Sequence, residues 1–157
     1  MTATAKSPRT AGERGLTLVE LLVTVAILAI LASVALPVLQ IELRRQKERE
    51  LHRALWEMRD AIDRYKDQSD KGAFSNKVGS YGYPPDLETL VNGVDVHGVK
   101  VRFLRRIPVD PLTGRAEWGL RSMQDEPNSD SFGGQNVFDV YSKSQGKALD
   151  GTKYSEW

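Results

Sequence analysis

Hydrophobic positions crowd towards one end of the chain. From Leu21 to Leu39 the sequence runs LLVTVAILAILASVALPVL, nineteen residues without a charge and with only Thr24 and Ser33 as polar side chains. About 20 apolar helical residues rise ~30 Å, enough to cross the hydrocarbon of a bilayer, so the pattern predicts a membrane span over residues 16–40. A chain of 157 residues holds too little other apolar material to surround such a helix in a soluble core. Past the span, Leu51, Leu55, Met58, Ile62 and Tyr65 recur at steps of four and three with charged residues between them, which predicts an amphipathic helix over 41–70 whose stripe packs on a core.

Punctuation supports one continuous helix. Between Leu16 and Asp70 there is no glycine and one proline, Pro37, whereas eleven glycines and five prolines follow Asp70. In the remainder, residues 71–157, Asp86 to Val91 reads as a short helix closed by Gly93. Ala116 to Met123 and Val137 to Ser142 read as strands, with Thr152 to Trp157 as a possible third. The expected fold class is α+β: a long amino-terminal helix, half transmembrane and half amphipathic, packed on a small antiparallel sheet.

Composition narrows the chemistry. Lys plus Arg number 22 against 21 for Asp plus Glu, so no nucleic-acid partner is expected from bulk charge. The absence of cysteine removes disulfides, thiolate catalysis and Cys-ligated zinc. His52 lies on the charged helix and His97 in a Gly-flanked loop, and no H-E-x-x-H, G-x-S-x-G, P-loop or dinucleotide fingerprint occurs, so no enzyme is expected. Asp125, Asn128 and Asp130 lack the spacing, glycine and distal glutamate of an EF-hand. Arg105 and Arg106 read as solvated loop charges. The cluster from Arg44 to Arg49, interleaved with Glu42, Glu48 and Glu50, reads as an ion-paired helix or as contacts between neighbouring helices.

The first fifteen residues are polar, with Lys6, Arg9 and Arg14 against Glu13, and read as a cleaved leader. Ser33-Val34-Ala35 would suit an ordinary signal peptidase, but Glu20 would then sit within its apolar region. Arg14-Gly15-Leu16-Thr17-Leu18-Val19-Glu20, followed at once by the apolar run, resembles the processing signal of type IV prepilins and pseudopilins. The resemblance implies that a dedicated prepilin peptidase cuts after Gly15 and methylates the new amine on Leu16. It also implies that Glu20, fifth in the mature chain, serves assembly and that Pro37, twenty-second, kinks the helix. Phenylalanine is commoner than leucine at the position of Leu16. A carboxylate near hydrocarbon costs ~2.5 to 3.5 kcal/mol, so Glu20 needs protonation, snorkelling or a partner. The Leu16 amine, one helical turn away on the same or a neighbouring chain, is the nearest cation.

Phe103 to Pro111 (FLRRIPVDP), then Thr113-Gly114 and Trp118, with Phe138 to Ser142 (FDVYS) and the terminal Trp157, resembles the major pseudopilin of type II secretion. That resemblance implies a structural subunit of a helical homo-oligomeric filament, anchored by a single pass in the bacterial inner membrane with its head in the periplasm. Minor pseudopilins and a secretion platform would be its partners. A type IV pilin for adhesion, motility or DNA uptake, or a singly anchored periplasmic binding domain, remain the alternatives. The family commonly binds calcium in the loop after the FDVYS strand, where this chain keeps Asp150 but has Gln145, Lys143 and Lys147 nearby. No cofactor is expected, and a calcium site at Asp150 only weakly.

Overall fold

The computed structural model describes residues 17–127 and 129–157, with 34–38 described only as part of a helix. Helix α1 spans Leu18–Asp70, α2 spans Leu87–Asn92, and four short strands follow: β1 (Val94–Val96), β2 (Val99–Val101), β3 (Trp118–Arg121) and β4 (Asp139–Ser142). Strands pair as β1 with β2 and β3 with β4, both antiparallel, giving two two-stranded sheets. The chain divides into the units Met1–Ile41 and Glu42–Trp157.

In the first unit every described side chain from Thr17 to Ser33 is exposed, including Leu21, Leu22, Ile27, Leu28 and Leu31. Past the cap, its hydroxyls bond back within the helix: Thr24 Oγ1 donates to the Leu21 carbonyl at 2.9 Å and Ser33 Oγ to the Ile30 carbonyl at 2.7 Å. A helix that is apolar all round with its polar groups bonded internally suits lipid or the flanks of other helices, not water. Among the described residues no helix is long and apolar enough to cross a membrane. The described part of the run stops at Ser33, and the sequence carries it on without charge to Leu39.

In the second unit the expected stripe is the core. Leu51 and Met58 are 0% exposed, and Leu55, Ile62 and Tyr65 are buried with them against Leu90, Phe103, Leu104, Trp118, Val137 and Val140. Each such aliphatic side chain contributes about 1.5 to 3 kcal/mol by leaving water. Burial pushes the Tyr65 hydroxyl above its usual pKa, with the Asp86 carboxylate adding to the effect. Helix α2 is set by its ends: the Asp86 carboxylate accepts the Thr89 N–H at 2.7 Å, and Gly93, at φ 79°, donates to the Thr89 carbonyl. Phe103 and Leu104 then both donate backbone N–H groups to the Leu90 carbonyl at 3.0 Å, holding the segment after β2 against α2.

Two expectations need correction. Thr152 to Trp157 is not a strand. Lys153 makes one bridge with Lys147, and Tyr154–Glu156 forms a 3₁₀ turn that buries Tyr154. The Gly-flanked loop around His97 is a hairpin, with His97 and Gly98 at φ 52° and 82° as its two turn residues between β1 and β2.

Candidate processing and assembly site

The amino terminus of α1 is built by a capping interaction. Thr17 accepts the Glu20 N–H on its Oγ1 at 3.2 Å, and its carbonyl accepts the Leu21 N–H at 3.1 Å. Thr-x-x-Glu is the capping-box sequence, so Glu20 is the third helical residue and its carboxylate lies in the first turn, where the helix dipole favours negative charge. The Glu20 side chain is exposed. Gly15 and Leu16 lie outside the described residues, as does the amine with which Glu20 was expected to pair. Helix α1 includes Pro37, and the kink expected there also lies outside what is described.

The carboxy-terminal loop, where a calcium site would fall, is organised by other bonds. Asp150 Oδ1 accepts the Thr152 hydroxyl at 2.7 Å and the Thr152 N–H at 2.9 Å, closing a turn through Gly151 at φ 93°. The hydroxyl, then the N–H, lower the pKa of this carboxylate. Lys143, Gln145, Lys147 and Lys153 line a cleft of about 580 Å³ beside β4 in company with Asp130 and Tyr141. A hard cation takes ~6 to 8 oxygen ligands, whereas here Asp150 is a lone carboxylate with two donors already on its Oδ1. Among the described residues no three His, Asp or Glu side chains converge. Asp125 behaves similarly: it accepts the Ser122 N–H at 2.7 Å and the Gly133 N–H at 3.1 Å, which lower its pKa. Asn128 lies outside the described residues. Both carboxylates have folded pKa values below their unfolded ones. Their contribution to stability is therefore present above the usual carboxylate value near ~3.9 and is lost as pH falls through the lowered value.

The remainder of the loop is clasped by α1. Glu48 Oε1 accepts the Leu149 N–H at 3.0 Å and the Tyr154 hydroxyl at 2.9 Å, so Glu48 serves the fold and not the expected pairing with nearby arginines. Burial first, and then this bond, raise the Tyr154 pKa. The His52 ring stacks on Trp157 at 4.1 Å between centroids. Arg59 donates to Asp139 Oδ1 at 2.7 Å, to the Val140 carbonyl at 3.1 Å and to the Trp157 carbonyl at 2.8 Å. Arg105 and Arg106 are exposed.

The FLRRIPVDP segment hides a buried acid that local reading treated only as a turn residue. Asp110 is 0% exposed. Its Oδ1 accepts the Leu112 N–H at 2.8 Å, its Oδ2 accepts the Ser142 hydroxyl at 2.6 Å, and its carbonyl accepts the Gly114 N–H at 2.8 Å. Trp118 Nε1 donates to the Pro108 carbonyl at 2.9 Å. The DPLTG turn is thereby fastened to β4 and to the start of β3. Next to Trp118 on β3 and paired with Tyr141 of β4, Gly119 leaves room for the Tyr141 ring, which a Cβ would strike.

Residues 10–36 match the family model of the prokaryotic N-terminal methylation motif. No curated protein and no solved structure matches the chain. The matched motif supports a type IV pilin-like subunit, anchored in the membrane by its amino terminus, processed by prepilin peptidase and assembled into filaments.

Proposed function

We propose that this chain is a structural subunit of a periplasmic pseudopilus in type II protein secretion. The observation that carries the reading is the match of residues 10–36 to the methylation motif together with a capped, exposed apolar helix, which Thr17 and Glu20 start directly behind the Gly15 that this reading takes as the end of the leader. The IPVDPLTG turn, built around buried Asp110, supports the pseudopilin branch over an adhesive pilin. The work of such a subunit is mechanical. Subunits added at the membrane lengthen a filament that moves or gates exported protein, and no catalytic group is required.

Mass spectrometry of the chain from its native membranes tests the first half. A mature chain beginning at methylated Leu16 is expected, and one beginning at Leu36 would show ordinary signal-peptidase cleavage. Deletion of the gene tests the second half. Exoproteins should accumulate inside the cell envelope, whereas loss of surface fibres or twitching with normal export would favour the pilin reading.

Glu20→Leu is expected to insert at the wild-type level, because it removes the only charge from the apolar region. The cap survives, since Thr17 bonds the backbone N–H that every residue here retains. Assembly should fall by about tenfold, the loss of one charge-assisted bond of ~1.5 kcal/mol to the Leu16 amine. Normal filaments from Glu20→Leu protein in the absence of wild type would show that the carboxylate has no partner.

Calcium is expected to leave the head unchanged, with equal melting temperatures in calcium and in chelator. The measurement that would reverse this is a calcium-dependent rise of several degrees that Asp150→Ala abolishes.

A further inference from the structure

Lys147 and Lys153 face one another across the antiparallel bridge of the carboxy-terminal loop. The backbone bonds on either side, from the Ala148 N–H to the Thr152 carbonyl at 2.8 Å and from the Tyr154 N–H to the Gly146 carbonyl at 3.3 Å, make them a non-hydrogen-bonded pair. That is the closer of the two kinds of antiparallel pair, with Cα atoms ~4.5 Å apart and both side chains on one face. Like charges placed directly opposite in this way destabilise the pair. Lys143, which follows β4, brings a third ammonium to the same cleft of about 580 Å³, and Gln145 and Ser155 bring an amide and a hydroxyl. Among the described residues that line it, Asp130 is the only carboxylate. Among the described residues, Lys143 and Lys147 make no ion pair, and Lys153 reaches only Glu156, at 3.5 Å and exposed to solvent.

We propose that this cleft binds a phosphate group, with Lys143, Lys147 and Lys153 as its cationic wall. The facing lysines carry the argument: the fold holds two like charges together on one face, and an anion between them turns that repulsion into attraction. The lining also selects the anion. Lysine is a donor without acceptor capacity and meets its partner as a point charge. A phosphate carries a charge of about −1.5 to −2 and three acceptor oxygens, which reach three ammonium groups from separate sides. A planar carboxylate has a single charge and two oxygens in one plane, and it is better matched by the fork of an arginine.

The backbone that carries the lysines is fastened before any ligand arrives. Ser142 Oγ donates to Asp110 Oδ2 at 2.6 Å and accepts the Ser144 N–H at 3.1 Å, and Ser144 Oγ accepts the Gly146 N–H at 3.3 Å. Little ordering is left to oppose binding. The cleft has the size of a small-molecule site, so it admits a free phosphate or one carried on a larger molecule. Bound there, the group ties the segment after β4 to the 3₁₀ turn.

The test uses the full chain in detergent, with melting followed in chloride and in inorganic phosphate at matched ionic strength. In chloride, Lys147→Gln should melt at or slightly above the wild-type temperature, because it removes one of two facing charges and leaves the backbone bridge intact. In phosphate the wild type should melt several degrees higher than in chloride while the variant gains little, so the order of the two reverses. Titration should saturate, with affinity about tenfold weaker for Lys147→Gln or Lys153→Gln and about threefold tighter for Asp130→Asn. Lys100→Gln, in β2, should bind as the wild type does. Glycerol phosphate identifies the source: tighter binding than inorganic phosphate assigns a carried phosphate, and equal or weaker binding assigns the free ion. Equal melting in the two salts would overturn the site. So would a rise that never saturates and is the same in Lys147→Gln and Lys100→Gln, since that is general salt stabilisation.

Discussion

Gly15→Val is expected to leave the leader on the whole population of the protein, with processing reduced by at least about a hundredfold. A peptidase must hold the scissile bond in line with its catalytic groups, and a displacement of about 1 Å costs ~10²-fold. A branched side chain beside that bond is expected to force such a displacement, since glycine allows a close backbone approach that a Cβ does not. The substituted chain should still insert, since α1 begins at Leu18 behind the Thr17 cap and neither is altered. Assembly should be lost as well. Without the cut Leu16 has no free amine, and Glu20 is left without its expected cation. Intact mass distinguishes the two forms by fifteen residues. Cleavage of Gly15→Val between the same two residues would show that the motif is not read by a glycine-requiring peptidase.

Asp110→Ala is expected to destabilise the head by about 3 kcal/mol, with a melting point lower by on the order of 10 °C. The acid accepts from the Leu112 N–H and the Ser142 hydroxyl in a site closed to water, and alanine leaves both donors without a partner. The loss spreads because Ser142 closes the register of β4 against Trp118, whose indole bonds Pro108 on the other side of the turn. Asp110→Asn should cost much less. Its amide oxygen can keep the Leu112 N–H, and its amide nitrogen can donate to Ser142 Oγ. Tryptophan fluorescence of the full chain in detergent reports both, and equal melting of the alanine and asparagine variants would show that the buried bonds do not support the turn.

These two residues differ in how far the sequence reveals them. Gly15 belongs to a signal that is local, since leader charge, glycine and apolar run stand in order along the chain, and the methylation-motif model matches over residues 10–36. Asp110 is legible only as a turn residue between two prolines, since its burial depends on Ser142, 32 positions away. The same distinction runs through the fold. The α1 stripe and the Asp86 and Gly93 ends of α2 follow from periodicity and capping, which are properties of neighbours. The β1–β2 hairpin was missed although Val-Asp-Val-His-Gly-Val-Lys-Val alternates around a two-residue turn. Its strands are three residues each, too short for that alternation to stand out from a loop, and neither strand buries a face fully. Thr152 to Trp157 was expected to extend as a strand, but Tyr154 is drawn to Glu48 and Trp157 to His52, contacts fixed by tertiary packing. The charged run from Arg44 to Arg49 likewise looks uniform in sequence, whereas the structure turns Glu48 inward and leaves Arg45 and Arg49 outward.

The clasp of α1 around the carboxy-terminal loop joins residues 98, 101 and 106 positions apart. Folding of the head therefore has high contact order, and loop-closure entropy must be met before these bonds form. Until Leu149, Tyr154 and Trp157 arrive, the flank of α1 around Glu48, His52 and Arg59 has nothing to close it, and the stripe of Leu51, Leu55, Met58 and Ile62 is only partly covered. Until its last residues are made and docked, a new chain thus has an apolar helix face open to other chains. Delivery of this subunit is safest one copy at a time, and crowding of half-emerged chains favours aggregation over the filament.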